Sequence, residues 1–355
     1  MHYSSVGIDI SDLVLRLVQL RGRRGRYEIS AHGDIDVPSG AIHDGRIERP
    51  AEVGALLRKL LDHAHGSLSL HPGVVACLPE QQSFLKLIHL PPGAADQRRQ
   101  QVLDALPQHF PVSIDEVYVD WQEVTRRQKT PGTQVLVGAC LRDVVDRYVE
   151  VFETAHVELR ALEIESIALA RLAVPRIEER SGYPIAMLLV DIGRERSSFI
   201  LYDHGMIPFT ASSNAISGTI FTRTIAQKLH LREEQAEKAK RLCGMDHSCA
   251  KGAVARVLEK TIQQLLAEIH RHIAFYQDHF EESNPVRRVL LTGGGANLLM
   301  LPEYCTRELH IPVERIDVSR AALDVLRPPP ATLAGALASY PTALGLALRD
   351  LRRND

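Results

Sequence analysis

The chain has 355 residues, of which 45% are hydrophobic and 24% charged, and its formal net charge is −2. This balance gives no electrostatic argument for nucleic-acid binding, which usually depends on a basic patch or stripe. No apolar run reaches the ~18–20 residues of a membrane-spanning helix, and residues 1–5 lack the pattern of a signal peptide. Because single hydrophobic cores stop growing near ~250–300 residues, we expect more than one lobe.

The cysteines and histidines indicate no metal centre. The chain contains five scattered cysteines and no Cys-x-x-Cys pair: Cys77, Cys140, Cys243, Cys249 and Cys305. We therefore expect neither a zinc site nor a disulfide framework, and we expect a reducing compartment. Three histidines of a long predicted helix, His270, His272 and His279, do not share one face. The sequence indicates a cytoplasmic protein that would reach a membrane only through a partner.

The opening region reads as strands followed by a helix. Alternating apolar residues predict a strand, a short turn and a second strand over residues 5–20, and a third strand over 27–37. The basic turn at 21–26 fits a solvated hairpin tip or a contact with acidic lipid or a partner. Apolar spacing predicts an amphipathic helix over 51–65, and a short buried strand follows at 73–79.

Residues 83–157 read as a compact α/β module of their own. The predicted order is β-α-β-β-α, with strands at 83–90, 116–124 and 134–140 and helices at 94–109 and 142–155. This order is typical of a small inserted unit. A strand running into a helix follows over residues 158–173.

The second half repeats the opening of the chain. A hydrophobic strand at 185–193 ends in Asp191, as the first strand ends in Asp9, and two hairpin strands follow in each half. Such a repeat is evidence for two related lobes. Helices are then predicted over three stretches, 218–229, 232–242 and a long one between 248 and 282.

A triple-glycine turn follows the next strand. Residues 289–292 are apolar apart from Thr292, Gly293–Gly295 form the turn, and we expect a helix to open directly afterwards. Three glycines let backbone amides approach a ligand closely, and a helix N-terminus favours an anion. The turn therefore fits a nucleotide, or a tight connection without a ligand. A short strand near 309–314 and a closing helix at 342–351 complete the chain.

The order of these features is typical of the actin-like ATPase superfamily. That order is Asp9, Asp191 and then Gly293–Gly295. A strand-end carboxylate can hold Mg²⁺ directly or through water, while turn amides hold phosphate. We therefore predict an α/β fold of the actin-like ATPase, or ribonuclease H-like, type with two lobes and the inserted small α/β subdomain.

The chain further resembles one family, PilM of type IV pilus assembly, which is close in design to the cell-division protein FtsA. The resemblance is carried by the module at 83–157 and by five stretches: residues 6–10 (Val-Gly-Ile-Asp-Ile), 191–198 (Asp-Ile-Gly-Arg-Glu-Arg-Ser-Ser), 291–296 (Leu-Thr-Gly-Gly-Gly-Ala), 309–313 (Leu-His-Ile-Pro-Val) and 342–349 (Thr-Ala-Leu-Gly-Leu-Ala-Leu-Arg). It implies a first lobe of residues 1–82, 158–184 and 340–355, the inserted subdomain 83–157, and a second lobe of 185–339 whose helical subdomain spans about 218–285.

The resemblance also implies a set of nucleotide-binding residues. They are Asp9 and Ser11 in the first phosphate hairpin, Asp191, Gly193 and Ser197 in the second, Gly218 after it, and Gly293, Gly294 and Gly295 at the adenosine and α-phosphate side. Asp9 and Asp191 would hold Mg²⁺ through water. Glu237 and Lys240 are weaker candidates that equally fit a solvated helix face. Glu165 lies where the superfamily orients the attacking water, and it equally fits a structural role.

The first hairpin departs from the family pattern of Asp-Ile-Gly followed by small hydroxyl residues. Residues 9–14 read Asp-Ile-Ser-Asp-Leu-Val. The lost glycine restricts the turn, Leu13 and Val14 supply no donors, and Asp12 adds a repulsion on the order of 1–4 kcal/mol near a polyanion. A glycine pair usual after the second hairpin is Ser217-Gly218 here. We therefore expect weakened ATP or ADP binding and, at most, slow hydrolysis.

The family implies a cytoplasmic scaffold in the alignment complex at the inner membrane. It would bind the short N-terminal peptide of a PilN-like bitopic protein in a groove beside the inserted module, and it would couple indirectly to PilO, PilP and the motor ATPases. Self-association stays open. The alternatives are a sugar or acetate kinase-like phosphotransferase, which the altered first hairpin disfavours, and an FtsA-like or GspL-like assembly protein. The closing helix fits packing on the first lobe better than the basic membrane helix of FtsA.

Overall fold

The computed structural model describes residues 3–23, 26–71, 73–110, 113–124, 132–173, 186–203, 205–280, 283–316, 333 and 337–352. The chain divides into two compact units. The first unit comprises residues 1–175, 205–209 and 318–355, and the second comprises 176–204 and 210–317. The described residues of each unit form both strands and helices.

The elements of the first unit follow the predicted order. In chain order they are β1 (Tyr3–Ile10), β2 (Val14–Arg23), β3 (Arg26–Asp36), β4 (Ile42–His43), β5 (Arg46–Ile47), α1 (Pro50–Asp62), β6 (His65–Gly66), β7 (Val74–Leu78), β8 (Ser83–Leu90), α2 (Arg98–His109), β9 (Val117–Val124), β10 (Thr133–Leu141), α3 (Arg142–Thr154), β11 (Leu159–Ile164) and α4 (Glu165–Ala173).

The second unit begins with β12 (Ala186–Ile192) and β13 (Ser197–Asp203). The strand β14 (Met206–Ser213) contains the boundary between the units, after Phe209. The remaining elements are α5 (Gly218–Leu229), α6 (Glu233–Cys243), α7 (Ala253–His279), β15 (Val286–Thr292), α8 (Leu301–Leu309) and β16 (Val313–Arg315). The chain then returns to the first unit with α9 (Pro341–Arg352). Short 3-10 turns lie at Glu80–Gln82, Ala95–Gln97, Ile114–Glu116, Cys249–Gly252, Gly294–Asn297 and Leu337–Ser339.

The central sheet of the first unit has the strand order β11-β7-β1-β2-β3-β6. The strands β1, β2 and β3 are antiparallel neighbours, whereas β7 runs parallel to β1 and to β11. The closing helix α9 packs directly on β1, because a Cβ at Gly7 would lie 2.0 Å from the carbonyl oxygen of Ala343. This contact confirms that the closing helix packs on the first lobe.

The module 83–157 contributes to two cores. Its strands form the antiparallel order β8-β10-β9, and α2 covers a small apolar core of its own made by Ile88, Leu90, Val102, Leu106, Phe110, Val117, Val135, Val137 and Ala139. The helix α3 lies elsewhere. Its Tyr148 and Phe152 belong to the core that contains Ile8 and Leu57. The helix that the sequence assigns to the module is therefore built into the main core of the first unit.

The second unit reproduces the strand arrangement of the first. Its sheet contains the order β16-β15-β12-β13, in which β12 is parallel to β15 and antiparallel to β13. β1 has the same pair of neighbours, with β7 parallel and β2 antiparallel. The long helix α7 buries one face, which includes Leu258, Ile262, Leu265, Leu266 and Ile269. The internal repeat predicted from the sequence is thus present in the topology.

Two local expectations are wrong. No α-helix opens directly after the glycine turn: Gly294–Asn297 form a 3-10 turn, and α8 begins only at Leu301, after Met300 adopts a left-handed conformation with φ 60°. The left-handed residue changes the chain direction before the helix can start. The expectation of no disulfide also fails, because Cys243 and Cys249 are bonded. Their spacing of six residues matches no motif that would have indicated a pair. No helix within the described residues is both long and apolar enough to span a bilayer.

Candidate functional site

Two carboxylates of the first unit lie at the carboxyl edge of its parallel strands. The register aligns Ile8 of β1 with Ala76 of β7, and Ala76 with Leu162 of β11. Asp9 and Glu165 therefore stand at the carboxyl ends of β1 and β11, the two strands on either side of β7, and Glu165 is the first residue of α4. In open α/β sheets, ligands bind outside this edge.

Asp9 is enclosed by the sheet and already has a cationic partner. Only 6% of its surface is exposed. Arg16 lies opposite it on β2 and places a guanidinium nitrogen 3.6 Å from Asp9 Oδ2, while Cys77 Sγ lies 3.5 Å from Asp9 Oδ1. Burial raises the pKa of Asp9 above its ordinary value, although Arg16 acts in the opposite direction.

The turn between β1 and β2 is held by its own side chains. The hydroxyl of Ser11 donates to the carbonyl oxygen of Val14 at 2.8 Å, and the Ser11 N–H donates to the same oxygen at 3.2 Å. The carboxylate of Asp12 accepts the backbone N–H groups of Asp44 at 3.0 Å and Gly45 at 2.8 Å. Both polar side chains of this first hairpin thus stabilise the first unit, a role for Asp12 that the sequence did not indicate.

Glu165 is half-buried and has a local partner. The hydroxyl of Thr342, on α9, donates to Glu165 Oε1 at 3.4 Å. This contact fits the structural role that the sequence left open for Glu165. Its predicted role in orienting a water molecule stays a prediction.

In the second unit, Asp191 and the glycine turn lie side by side. The parallel register pairs Asp191 of β12 with Thr292, the last residue of β15. A Cβ at Gly293 would lie 2.6 Å from Asp191 Oδ1 and 2.6 Å from the carbonyl oxygen of Ile192. Gly293 has φ 81° and ψ 173°, a conformation essentially confined to glycine. At Gly294, in contrast, a Cβ would meet no atom within 4 Å.

The second hairpin, residues 193–196, is tied to the start of α5. The N–H of Gly193 donates to the carbonyl oxygen of Arg196 at 2.8 Å, and the N–H of Gly218 donates to the carbonyl oxygen of Gly193 at 2.9 Å. Ser197 is completely buried, and its hydroxyl donates to the carbonyl oxygen of Ile216 at 2.9 Å. Ser197 therefore positions the segment leading into α5, and its hydroxyl is committed to that bond.

Glu237 and Lys240 of α6 face the same helix start. Lys240 Nζ donates to the Gly218 carbonyl oxygen at 3.1 Å and to Thr222 Oγ1 at 2.8 Å, and it lies 2.6 Å from Glu237 Oε2. Burial disfavours the ionised Glu237 carboxylate, but hydrogen bonds from Lys240, Thr222 and Arg241 outweigh burial and lower its pKa to about 2. These two predicted residues thus form an ion pair beside Gly218, not a solvated face.

The end of α6 meets the segment that follows the glycine turn. The N–H of Met245 donates to the carbonyl oxygen of Leu299 at 2.7 Å. A Cβ at Gly244 would lie 2.5 Å from the Leu299 nitrogen. The glycine turn, the end of α6, the start of α5 and the second hairpin are therefore joined in one closed series of contacts, which we call the second-unit circuit.

The second-unit circuit combines groups of the kind that bind a nucleotide. The glycine turn is open at Gly294, Lys240 supplies a cation, and the strand-end carboxylate of Asp191 is an oxygen donor of the kind that Mg²⁺ prefers. Among the residues that the structure describes, no three His, Cys, Asp or Glu side chains group in a way that could hold a metal ion.

Sequence reasoning missed two participants. Arg16 could have been found by pairing the first two strands, because a three-residue turn between β1 and β2 places it opposite Asp9. Thr222 lies one helical turn after Gly218, and its hydroxyl donates a hydrogen bond to Glu237 Oε2 at 2.6 Å. No motif marks it, and only the packing of α6 on α5 reveals it.

Comparisons with known proteins show a family match and several structural likenesses. The family model described as type IV pilus assembly protein PilM matches residues 7–351. A solved PilM-PilN type IV pilus biogenesis complex is 23% identical, with 97% of this chain and 98% of that chain covered and a TM-score of 0.78. The ethanolamine utilization protein EutJ from Carboxydothermus hydrogenoformans is 17% identical, with coverage of 98% and 89% and a TM-score of 0.55.

MreB5 of Spiroplasma citri, solved bound to AMPPNP, is 13% identical, with coverage of 91% and 94% and a TM-score of 0.50. At these identities the likenesses show the fold alone. The actin-like ATPase fold predicted from the sequence is confirmed. Because the family model covers nearly the whole length, this chain belongs to the PilM family of type IV pilus assembly proteins.

Proposed function

We propose that this protein is a cytoplasmic scaffold of the type IV pilus alignment complex, held at the inner membrane by a PilN-like bitopic partner. The observation that carries the proposal is the PilM family match over residues 7–351. The solved relative with a TM-score of 0.78 is itself a PilM-PilN complex, which supports a partner of that kind. Indirect coupling to PilO, PilP and the motor ATPases, and self-association, belong to the same proposal.

The partner contact is proposed beside the module 83–157. A short peptide that lays apolar anchors into a groove is a common way for a small segment to bind. Support comes from the position of α3, whose Tyr148 and Phe152 lie in the main core of the first unit while the module's sheet keeps a separate core. A segment bound beside the module would thus lie close to a rigid part of the unit.

A binding assay with the PilN-like N-terminal peptide tests this contact. We expect the full chain to bind a fluorescently labelled peptide, measured by anisotropy, while a scrambled peptide of the same composition does not bind. No binding at tens of micromolar would argue strongly against a PilN-like partner.

We also propose that the protein binds ATP or ADP weakly and hydrolyses ATP slowly or not at all. Gly293–Gly295 would take the adenosine side, and Lys240, Gly193 and Gly218 would border the phosphates. When bound with Mg²⁺, the nucleotide supplies a reactive phosphoanhydride, whereas the protein supplies amides, a cation and carboxylates. The weakness is supported by the first hairpin, where the Ser11 donors serve Val14 and Asp9 is paired with Arg16.

Calorimetry with ATP and Mg²⁺, combined with a phosphate-release assay, tests the nucleotide proposal. We expect binding weaker than micromolar and phosphate release close to background. Sub-micromolar affinity together with release clearly above background would overturn it and would favour an active ATPase. No binding of either nucleotide would instead remove the nucleotide role and leave the scaffold proposal to the peptide assay.

A further inference from the structure

The bonded cysteines lie within the second-unit circuit. Cys243 is the last residue of α6, the helix that carries Glu237 and Lys240, and Cys249 begins the 3-10 turn that leads into α7. Their Cα atoms are 5.2 Å apart. The bond closes a loop over residues 244–248, between the ion-paired helix and the helix that supports β13.

This loop is attached to the glycine turn. The N–H of Met245 donates to the carbonyl oxygen of Leu299 at 2.7 Å, and the N–H of Gly244 donates to the Lys240 carbonyl oxygen at 3.0 Å. Gly244 has a positive φ of 51° and leaves no room for a Cβ against Leu299. The Cys243–Cys249 bond therefore closes a loop that connects α6 to the segment after Gly293–Gly295.

The backbone after the bond is in an unfavourable conformation. Ala250 has φ 47° and Lys251 has φ 54°, and Gly252 follows with φ 73°. Non-glycine residues in the left-handed region are strained and persist only where the surroundings impose this conformation. Reduction of the Cys243–Cys249 bond allows residues 250–252 to relax. We therefore expect the conformation of the loop 244–248 to change when the bond is reduced.

Cys249 differs from the three unbonded cysteines in its exposure. Burial raises the pKa of Cys140 to about 11 and that of Cys305 to about 12, and burial raises the pKa of Cys77 well above its ordinary value. These three remain buried thiols. Cys249 is partly exposed, so its sulfur is accessible to a small-molecule disulfide.

We propose that Cys243 and Cys249 form a reversible redox site that sets how firmly α6 is held against the glycine turn. In a compartment that keeps thiols reduced, a bonded pair is usually redox-sensing and not structural. The oxidant is a small-molecule disulfide such as oxidised glutathione. The effect on nucleotide affinity rests on the nucleotide binding proposed above, whereas the redox chemistry does not.

The exchange balances as two displacements. The Cys249 thiolate attacks one sulfur of oxidised glutathione, forms a mixed disulfide and releases one glutathione thiolate. The Cys243 thiolate then attacks the Cys249 sulfur, closes the protein disulfide and releases the second glutathione. The two protons lost by the cysteines end on the two released thiols, so the protein is oxidised by two electrons and glutathione disulfide is reduced.

The first measurement counts thiols in the full-length chain. The protein is equilibrated in buffers of reduced and oxidised glutathione, quenched with acid, unfolded and labelled with a maleimide that shifts its mobility on a gel. We expect a two-thiol change between reducing and oxidising buffers, with peptide mass spectrometry locating it at Cys243 and Cys249. Cys249→Ser and the double variant Cys243→Ser/Cys249→Ser should lose the change. If both thiols label equally in every buffer, the redox site is overturned.

The second measurement follows the coupling without any nucleotide. Hydrogen exchange of the amides over residues 244–248 and 293–300 should be faster in the reduced chain and in the double variant than in the oxidised chain. With ADP carrying a fluorescent group, the reduced chain should bind about fivefold more weakly, at the lower end of the usual coupling between two sites.

The outcomes separate the two proposals. Identical exchange rates in both redox states would overturn the coupling even if the thiols titrate. Absence of nucleotide binding in both states, with the exchange difference present, would remove the proposed nucleotide role and leave the redox site supported.

Discussion

The two hairpins that follow Asp9 and Asp191 have the same topology, but different groups anchor their turns. Each joins an antiparallel strand pair, and each strand that ends in the aspartate has a parallel neighbour on its other side. In the first hairpin the polar groups of Ser11 and Asp12 bind the first unit itself. In the second, Gly193 binds the start of α5 through backbone atoms.

This difference shows that one supersecondary unit can keep its fold while the groups that anchor its turn change. Where glycine stands in the turn, backbone amides stay close to a neighbouring element and no side chain intervenes. Where Ser11 and Asp12 stand, side chains take over the anchoring and bring a fixed negative charge. The polar side chains of the first hairpin therefore contribute to the stability of the first unit.

The largest effect is expected at the glycine turn. Gly293→Ala puts a Cβ within 2.6 Å of Asp191 Oδ1 and the Ile192 carbonyl oxygen, in a conformation open only to glycine. We expect the free energy of unfolding to fall by about 3 kcal/mol through backbone strain and overpacking, measured by urea denaturation of the full chain. Nucleotide binding should be lost as well.

Gly294→Ala is the matched control for this change. A Cβ there would meet no atom within 4 Å, so the free energy of unfolding should change by less than about 0.5 kcal/mol. Equal effects at the two positions would contradict the view that Gly293, packed on Asp191, is the constrained part of the turn.

Much of this fold follows from the sequence because its signals are local. The period-2 pattern of β1 to β3 and the spacing of apolar residues in α7 fix the elements within a few residues. The repeat of Asp9 and Asp191 on strand ends then relates the two halves. The sequence predicts that the closing helix packs on the first lobe. The close approach of Gly7 to the carbonyl oxygen of Ala343 shows this packing.

The rest depends on contacts that no local pattern encodes. Asp12 meets the N–H groups of Asp44 and Gly45 only because that distant turn takes positive φ values of 48° and 77°. The helix after Gly293–Gly295 starts late because Met300 turns left-handed. Cys243 and Cys249 pair because α6 ends at one and a 3-10 turn begins at the other. The hydrogen bonds of the candidate residues were thus not predictable from the sequence, and their nucleotide-binding roles stay predictions.

Asp12 offers the next largest effect and separates anchoring from charge. Asp12→Ala removes the acceptor for two backbone N–H groups at 3.0 and 2.8 Å. Since hydrogen bonds to charged groups contribute about 1.5–3 kcal/mol, we expect the free energy of unfolding to fall by about 2 kcal/mol. Asp36→Ala, at an exposed position on β3, is the control and should have little effect.

Asp12→Asn completes the experiment. The amide oxygen can still accept an N–H bond, whereas the negative charge is gone. If charge near the phosphates weakens binding, this variant should bind ADP more tightly than the wild type while losing less stability than Asp12→Ala. Unchanged affinity would show that anchoring, and not repulsion, is the main consequence of this substitution in the first hairpin.

A smaller effect is expected from the cation of the second-unit circuit. Lys240→Ala removes the bonds to the Gly218 carbonyl oxygen and to Thr222. For a partly exposed charged group this should cost about 1 kcal/mol of binding free energy, or roughly a fivefold weaker nucleotide affinity. Lys238→Ala, exposed on the same helix, should leave affinity unchanged, and an equal loss in both variants would point to general charge rather than to this contact.

The smallest effect is expected from acid, which acts on one buried or half-buried histidine in each unit. His272 of α7 lies with its ring centroid 4.6 Å from that of Phe199 on β13, and burial lowers its pKa despite the opposing charge of Glu268. His32 of β3, in the first unit, also has a lowered pKa, chiefly through burial and then through His65.

A lowered pKa means that the unfolded chain binds a proton more readily than the folded one. The stabilisation is therefore complete above the ordinary histidine pKa near 6.5 and declines as the pH falls below it. Between pH 7.5 and 5.5 each histidine should therefore lower the free energy of unfolding. His272→Gln should reduce the acid sensitivity of the second unit, reported by hydrogen exchange along β13, while His32→Gln should reduce it along β3. If His272→Gln leaves the pH dependence along β13 unchanged, the acid sensitivity of this strand does not come from His272.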